Sequence, residues 1–79
     1  VSRSFNVYAH YFVGIDCFER GDDAEARRHF ELIVKAAPAF SKGHAALGTV
    51  LAHQRDYDRA LTHLKRALVL EPDVADVPR

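Results

Sequence analysis

The stretch ALGTVLAHQRDYDRALTHLKRALVLEP, Ala46 to Pro72, decides how the rest of the chain is read. Leu47, Val50, Leu51 and Gln54 fall on one helical face. After a break at Arg55-Asp56, Ala60, Leu61, Leu64, Ala67 and Leu68 make a second stripe at helical spacing. Pro72 stops the pattern, because proline has no amide hydrogen to give to a helix.

The same pattern occurs upstream. A shift of 34 residues lays His10 on His44, Gly14 on Gly48, Asp22 on Asp56, Ala26 on Ala60, His29 on His63 and Pro38 on Pro72. Val13, Cys17, Phe30 and Val34 fall on Leu47, Leu51, Leu64 and Leu68, so apolar character persists where identity does not. In the first copy Val13 and Cys17, then Ala26, Phe30, Ile33 and Val34, form the two stripes. A fixed period of a few tens of residues marks a stacked repeat.

The spacing predicts four helices at about 5–20, 22–36, 41–54 and 56–70. Their short connections make neighbours antiparallel. Gly21 is placed to end the first helix in a left-handed conformation, and Asp22 with Glu25 reads as a capping box. Arg55 stands where the second copy needs the same left-handed turn, at a cost of about 1–2 kcal/mol. Gly14 and Ala26, with Gly48 and Ala60, are expected where two helix backbones approach. The expected fold is all-α: an α-helical solenoid of two stacked helix-turn-helix hairpins, about 7–40 and 41–74, in a single domain. The chain reads as a fragment of a longer protein, since it begins without methionine.

The order H10-x2-V13-G14-x2-C17, A26-x3-F30, P38, repeated as H44-x2-L47-G48-x2-L51, A60-x3-L64, P72, resembles the tetratricopeptide repeat over residues 7 to 72. Histidine replaces the usual tryptophan in both copies, and Cys17 or Leu51 the usual aromatic after the glycine. The family's final solvating helix is not expected, because Val74 to Arg79 are too few and contain Pro78. The resemblance implies a concave groove lined by first helices. Carried over by position, it comprises Tyr8, Tyr11, Ile15, Phe18 and Glu19 beside Lys42, Ala45, Thr49, Ala52 and His53. Some members clamp a carboxylate chain end with polar groups there. Tyr11, Ile15 and Ala46 stand at three of those positions, so the resemblance points to an apolar peptide or a partner helix.

Composition narrows the function. Eleven Lys and Arg balance eleven Asp and Glu, which supplies no basic excess for nucleic acid. No apolar run reaches the roughly 18–20 residues that cross a bilayer. One cysteine makes no intrachain disulfide and leaves the compartment open, with the cytoplasm as the default. Cys17 lies on an apolar stripe and reads as a core thiol. The histidines at 10, 29, 44, 53 and 63 lack the i, i+3 or i, i+4 spacing that aims two imidazoles at one ion. Repeat-equivalent histidines should lie roughly 8–10 Å apart, so no metal is expected. No nucleophile or phosphate-loop motif occurs, and neither catalysis nor a cofactor is expected.

The first helix is apolar nearly all round, from Val7 and Tyr8 to Phe18, whereas its counterpart carries Lys42, Gly43, Ala45, Ala46 and Thr49. Such a helix should be covered on more than one side. The expected function is a protein–protein interaction scaffold that binds a protein or peptide ligand. Self-association is also expected, through Tyr8, Tyr11, Phe12, Ile15 and Phe18 at one end and Leu68 and Val69 at the other. The alternative is a non-catalytic docking region of a larger enzyme, transporter or secretion assembly.

Overall fold

The computed structural model describes residues 6–70, which form four helices: α1 (Val7–Glu19), α2 (Asp23–Ala36), α3 (Ser41–His53) and α4 (Tyr57–Leu70). The expected boundaries hold to within two residues. Pro72 and the segment expected to be too short for a solvating helix lie outside the described residues.

Local chemistry sets the ends. Asn6 caps α1 by accepting from the Ala9 amide at 3.0 Å, so the helix starts at Val7. Asp22 caps α2 by accepting from the Glu25 amide at 3.3 Å. The reciprocal half of the expected box is replaced: the Asp22 amide donates to the Cys17 carbonyl at 2.8 Å, and the Glu25 carboxylate lies near Arg28 and His29. Both intrahairpin turns are the same. Gly21 at φ +86° and Arg55 at φ +69° are left-handed, as expected. Each turn returns two amides to the helix behind it: Gly21 to Phe18 and Asp22 to Cys17, then Arg55 to Ala52 and Asp56 to Leu51. This pattern satisfies two otherwise orphaned carbonyls per helix end.

α1 packs on α2 and α3 on α4, making two hairpins; α2 then packs on α3, joining them in sequence. Among the described residues the backbone of α4 does not come close to that of α1 or α2. The core follows this order. Phe30 and Ile33 of α2, Leu47, Val50 and Leu51 of α3, and the small Ala26 and Ala60 are buried together. Complete burial of a side chain such as Phe30 is worth about 1.5–3 kcal/mol.

The glycines expected at backbone crossings do have close neighbours, of a different kind. A Cβ on Gly14 would stand 2.5 Å from the Phe30 ring; on Gly48 it would stand 2.7 Å from Leu64 and 3.1 Å from the Ala60 carbonyl. Only the second approach involves backbone.

Two expected stripes are corrected. On α4, Ala60 and Ala67 are buried, but Leu61 and Leu68 are about half exposed. Their equivalents on α2, Arg27 and Val34, lie on the side where α3 docks; among the described residues nothing docks on that side of α4. On α1, Tyr8, Phe12 and Val13 are exposed, so the expected cover on several sides is incomplete. The equivalents of Ala9, Phe12, Val13 and Asp16 are Gly43, Ala46, Leu47 and Val50, most of them buried where α3 meets α2.

Candidate functional site

Stacking α3 beside α1 brings their first-helix faces together. Tyr11, Ile15 and Phe18 of α1 face Lys42, Ala45, Ala46 and Thr49 of α3 across an open cavity of about 270 Å³. Phe30 and Val50 complete its floor. Six of the eleven expected site residues line this groove: Tyr11, Ile15, Phe18, Lys42, Ala45 and Thr49. The remaining five flank it or lie outside it.

Tyr8 is exposed and meets Phe40 edge-on at 5.5 Å, at the rim. Phe12 is 61% exposed and touches Tyr11 edge-on at 5.4 Å, on the side of α1 that corresponds to the docking side of α3. Glu19 is exposed at the end of α1, and Ala52 packs against the core without entering the cavity. His53 is committed elsewhere. Its Nδ1 pairs with the Asp23 carboxylate of α2, and its ring stands edge-on to Phe18 at 5.3 Å.

The groove is therefore aromatic and aliphatic on its floor, with Lys42 the one cation among its lining residues. Thr49 offers little as a donor, because its hydroxyl already donates to the Ala45 carbonyl at 2.9 Å. The lining is thus mainly apolar, with one positive charge among it.

Three residues outside the expected set position the groove. Phe40, in the connection between hairpins, sets its ring against Tyr8 and Tyr11 at 5.5 and 5.9 Å. Asp23 holds the far end of α3 through His53. Arg27 donates to the Gln54 side chain at 3.2 Å, a second tie between α2 and the end of α3. All three link segments distant in sequence, so spacing along one helix does not show them. Phe40 had a usable signal: it is an aromatic just before a helix start.

Cys17 is half-buried and packs against the core, as expected. Burial, followed by the Asp22, Glu25 and Asp16 carboxylates, pushes its thiol above the ordinary value. That disfavours the thiolate a nucleophile needs.

The histidines depart from expectation. Within each hairpin two imidazoles meet: His10 and His29 with Nδ1 atoms 3.0 Å apart, and His44 and His63 with Nδ1 atoms 3.1 Å apart. The spacing argument considered partners along one helix and between repeats, and it missed these pairs because each crosses between the two helices of one hairpin. Among the described residues no group of three or more His, Cys, Asp or Glu is arranged to hold a metal ion. No described helix is long and apolar enough to cross a membrane.

Residues 41–74 match the family model of the tetratricopeptide repeat. No curated protein matches the chain.

Proposed function

Because this chain carries a tetratricopeptide repeat, with the same hairpin folded again before it, we propose that it binds an apolar peptide or partner helix in the groove between α1 and α3. Tetratricopeptide repeats generally mediate protein–protein interaction and are typically non-catalytic modules. The observation that carries the finer reading is the groove: Tyr11, Ile15, Phe18, Ala45 and Ala46 give it an apolar floor, and Lys42 stands at its edge. The scaffold reading and the role of docking region in a larger assembly use this same surface.

Peptides selected from a displayed library against the chain test the proposal. The expected winners carry large apolar residues, and Ile15→Glu or Ala45→Arg weakens them at least tenfold, while Arg28→Ala on the exposed side of α2 leaves them unchanged. Peptides indifferent to both groove changes would place the binding surface elsewhere.

Self-association uses two other surfaces. Phe12 and Val13 on α1, and Leu61, Leu68 and Val69 on α4, leave apolar faces exposed at opposite ends of the stack. Stacked repeats lean on a neighbour at both ends, so these faces fit another hairpin of the same type. Light scattering at micromolar concentration should show assembly, and Phe12→Ser should reduce it more than Arg66→Ala does.

A further inference from the structure

The imidazole pair of the second hairpin has a complete assignment of hydrogens. His44 Nε2 lies 2.9 Å from the Pro38 carbonyl, which only accepts, so Nε2 carries the hydrogen. In a neutral ring His44 Nδ1 is then bare, and His63 Nδ1, at 3.1 Å, must donate to it. One added proton goes to His63 Nε2 and leaves this bond intact. A second has only His44 Nδ1 to occupy, where two N–H groups on two cations would face each other. His44 is buried beneath the stacked His63 ring, with centroids 5.4 Å apart, so water is poorly placed to relieve that encounter.

The first hairpin holds the same pair in different company. His29 Nε2 lies 3.7 Å from the Glu25 carboxylate, four residues earlier on α2. The repeat puts Arg59 at the position of Glu25, four residues before His63. Arg59 also lines, with Arg27, Lys35 and Glu31 of α2, the cleft into which His63 faces. Arg27 is paired with Glu31 and Arg59 with Asp56, which leaves Lys35 beside two ion pairs. Added positive charge meets a carboxylate at 3.7 Å in the first hairpin, whereas in the second the Glu31 and Asp56 carboxylates are already paired with Arg27 and Arg59.

We infer that His44 and His63 form a proton-operated latch between α3 and α4, which opens in mildly acidic solution while the His10–His29 pair stays closed. Burial, and then the neighbouring His44, push His63 below its ordinary value of 6.5, with Glu31 opposing. The unfolded chain therefore binds more protons than the folded one below that value. The His63 ring therefore contributes its full stability above about pH 6.5 and loses it as pH falls toward the folded value, and the bond itself gives way when a second proton reaches His44 Nδ1. His53 lies against the Asp23 carboxylate, so variants must be compared rather than a single curve read.

The test is urea unfolding of the chain at pH 7.5 and 5.0, with His63→Asn, which keeps a donor near the Nδ1 position, and His29→Asn as the control. The wild-type unfolding constant should rise at least about threefold more on acidification than that of H63N. H29N should keep the wild-type rise. Equal pH dependence in wild type and H63N, or its loss in H29N alone, would overturn the latch. If H63N does not fold, amide exchange of the wild type decides: α3–α4 amides must lose protection on acidification, after correction for intrinsic exchange, while α1–α2 amides keep theirs. Equal loss of protection in both hairpins, or unchanged protection, would equally overturn it.

Discussion

At Gly48 a methyl group has no room: it would stand 2.7 Å from Leu64 and 3.1 Å from a backbone oxygen that cannot rotate away. Gly48→Ala should destabilise the fold by about 1–3 kcal/mol, the usual cost of overpacking. The same change at Gly14 meets only the Phe30 ring, so pairing Gly14→Ala with Phe30→Leu should recover part of the loss, whereas Gly48→Ala with Leu64→Ala should recover less. Urea midpoints of the four variants check both statements. Arg55 is the opposite case. It holds φ +69° without glycine's freedom, so Arg55→Gly should stabilise the chain by about 1 kcal/mol, read as a higher melting temperature. No stabilisation would mean that the Arg55 side chain offsets its backbone cost.

Among the elements, turn chemistry made the helix boundaries readable, because Gly21, Asp22 and Asp56 act on atoms within a few residues of themselves. The groove was half readable. Alternate turns of α1 and α3 give Tyr11, Ile15, Phe18, Lys42, Ala45 and Thr49 a common face once the hairpins stack, and all six line the cavity. Phe12, one position off that face, belongs to an end surface instead. The imidazole pairs were not readable, since residues 19 apart meet only through the crossing of two helices. The Asp23–His53 tie was hidden for the same reason, at a separation of 30 residues. It joins the hairpins where the groove ends. Asp23→Ala should cost about 0.2–1 kcal/mol as an exposed pair does, yet it should loosen peptide binding by freeing His53 and, through it, Phe18. A binding loss no larger than that of Arg20→Ala would show that the tie serves stability alone.

Across the whole molecule the packing is serial: α1 on α2, α2 on α3, α3 on α4. Stability in such a stack is spread over hairpins and the seam between them, so weakening one seam need not unfold the other hairpin. Acidification of the second hairpin should therefore show first in the amides of α3 and α4, with α1 and α2 following at higher urea. The two bare faces of this stack are not alike. One presents Phe12 and Val13 of α1, and the other Leu61, Leu68 and Val69 of α4. Contact between unlike surfaces does not close on itself as a twofold dimer does; each added molecule exposes again the surface it has just covered. Growth would then be polar, ending where the rotation per molecule closes a ring and otherwise running on to a mean length set by concentration, and a single molecule carrying Phe12→Ser could still join at one extremity while ending the chain there.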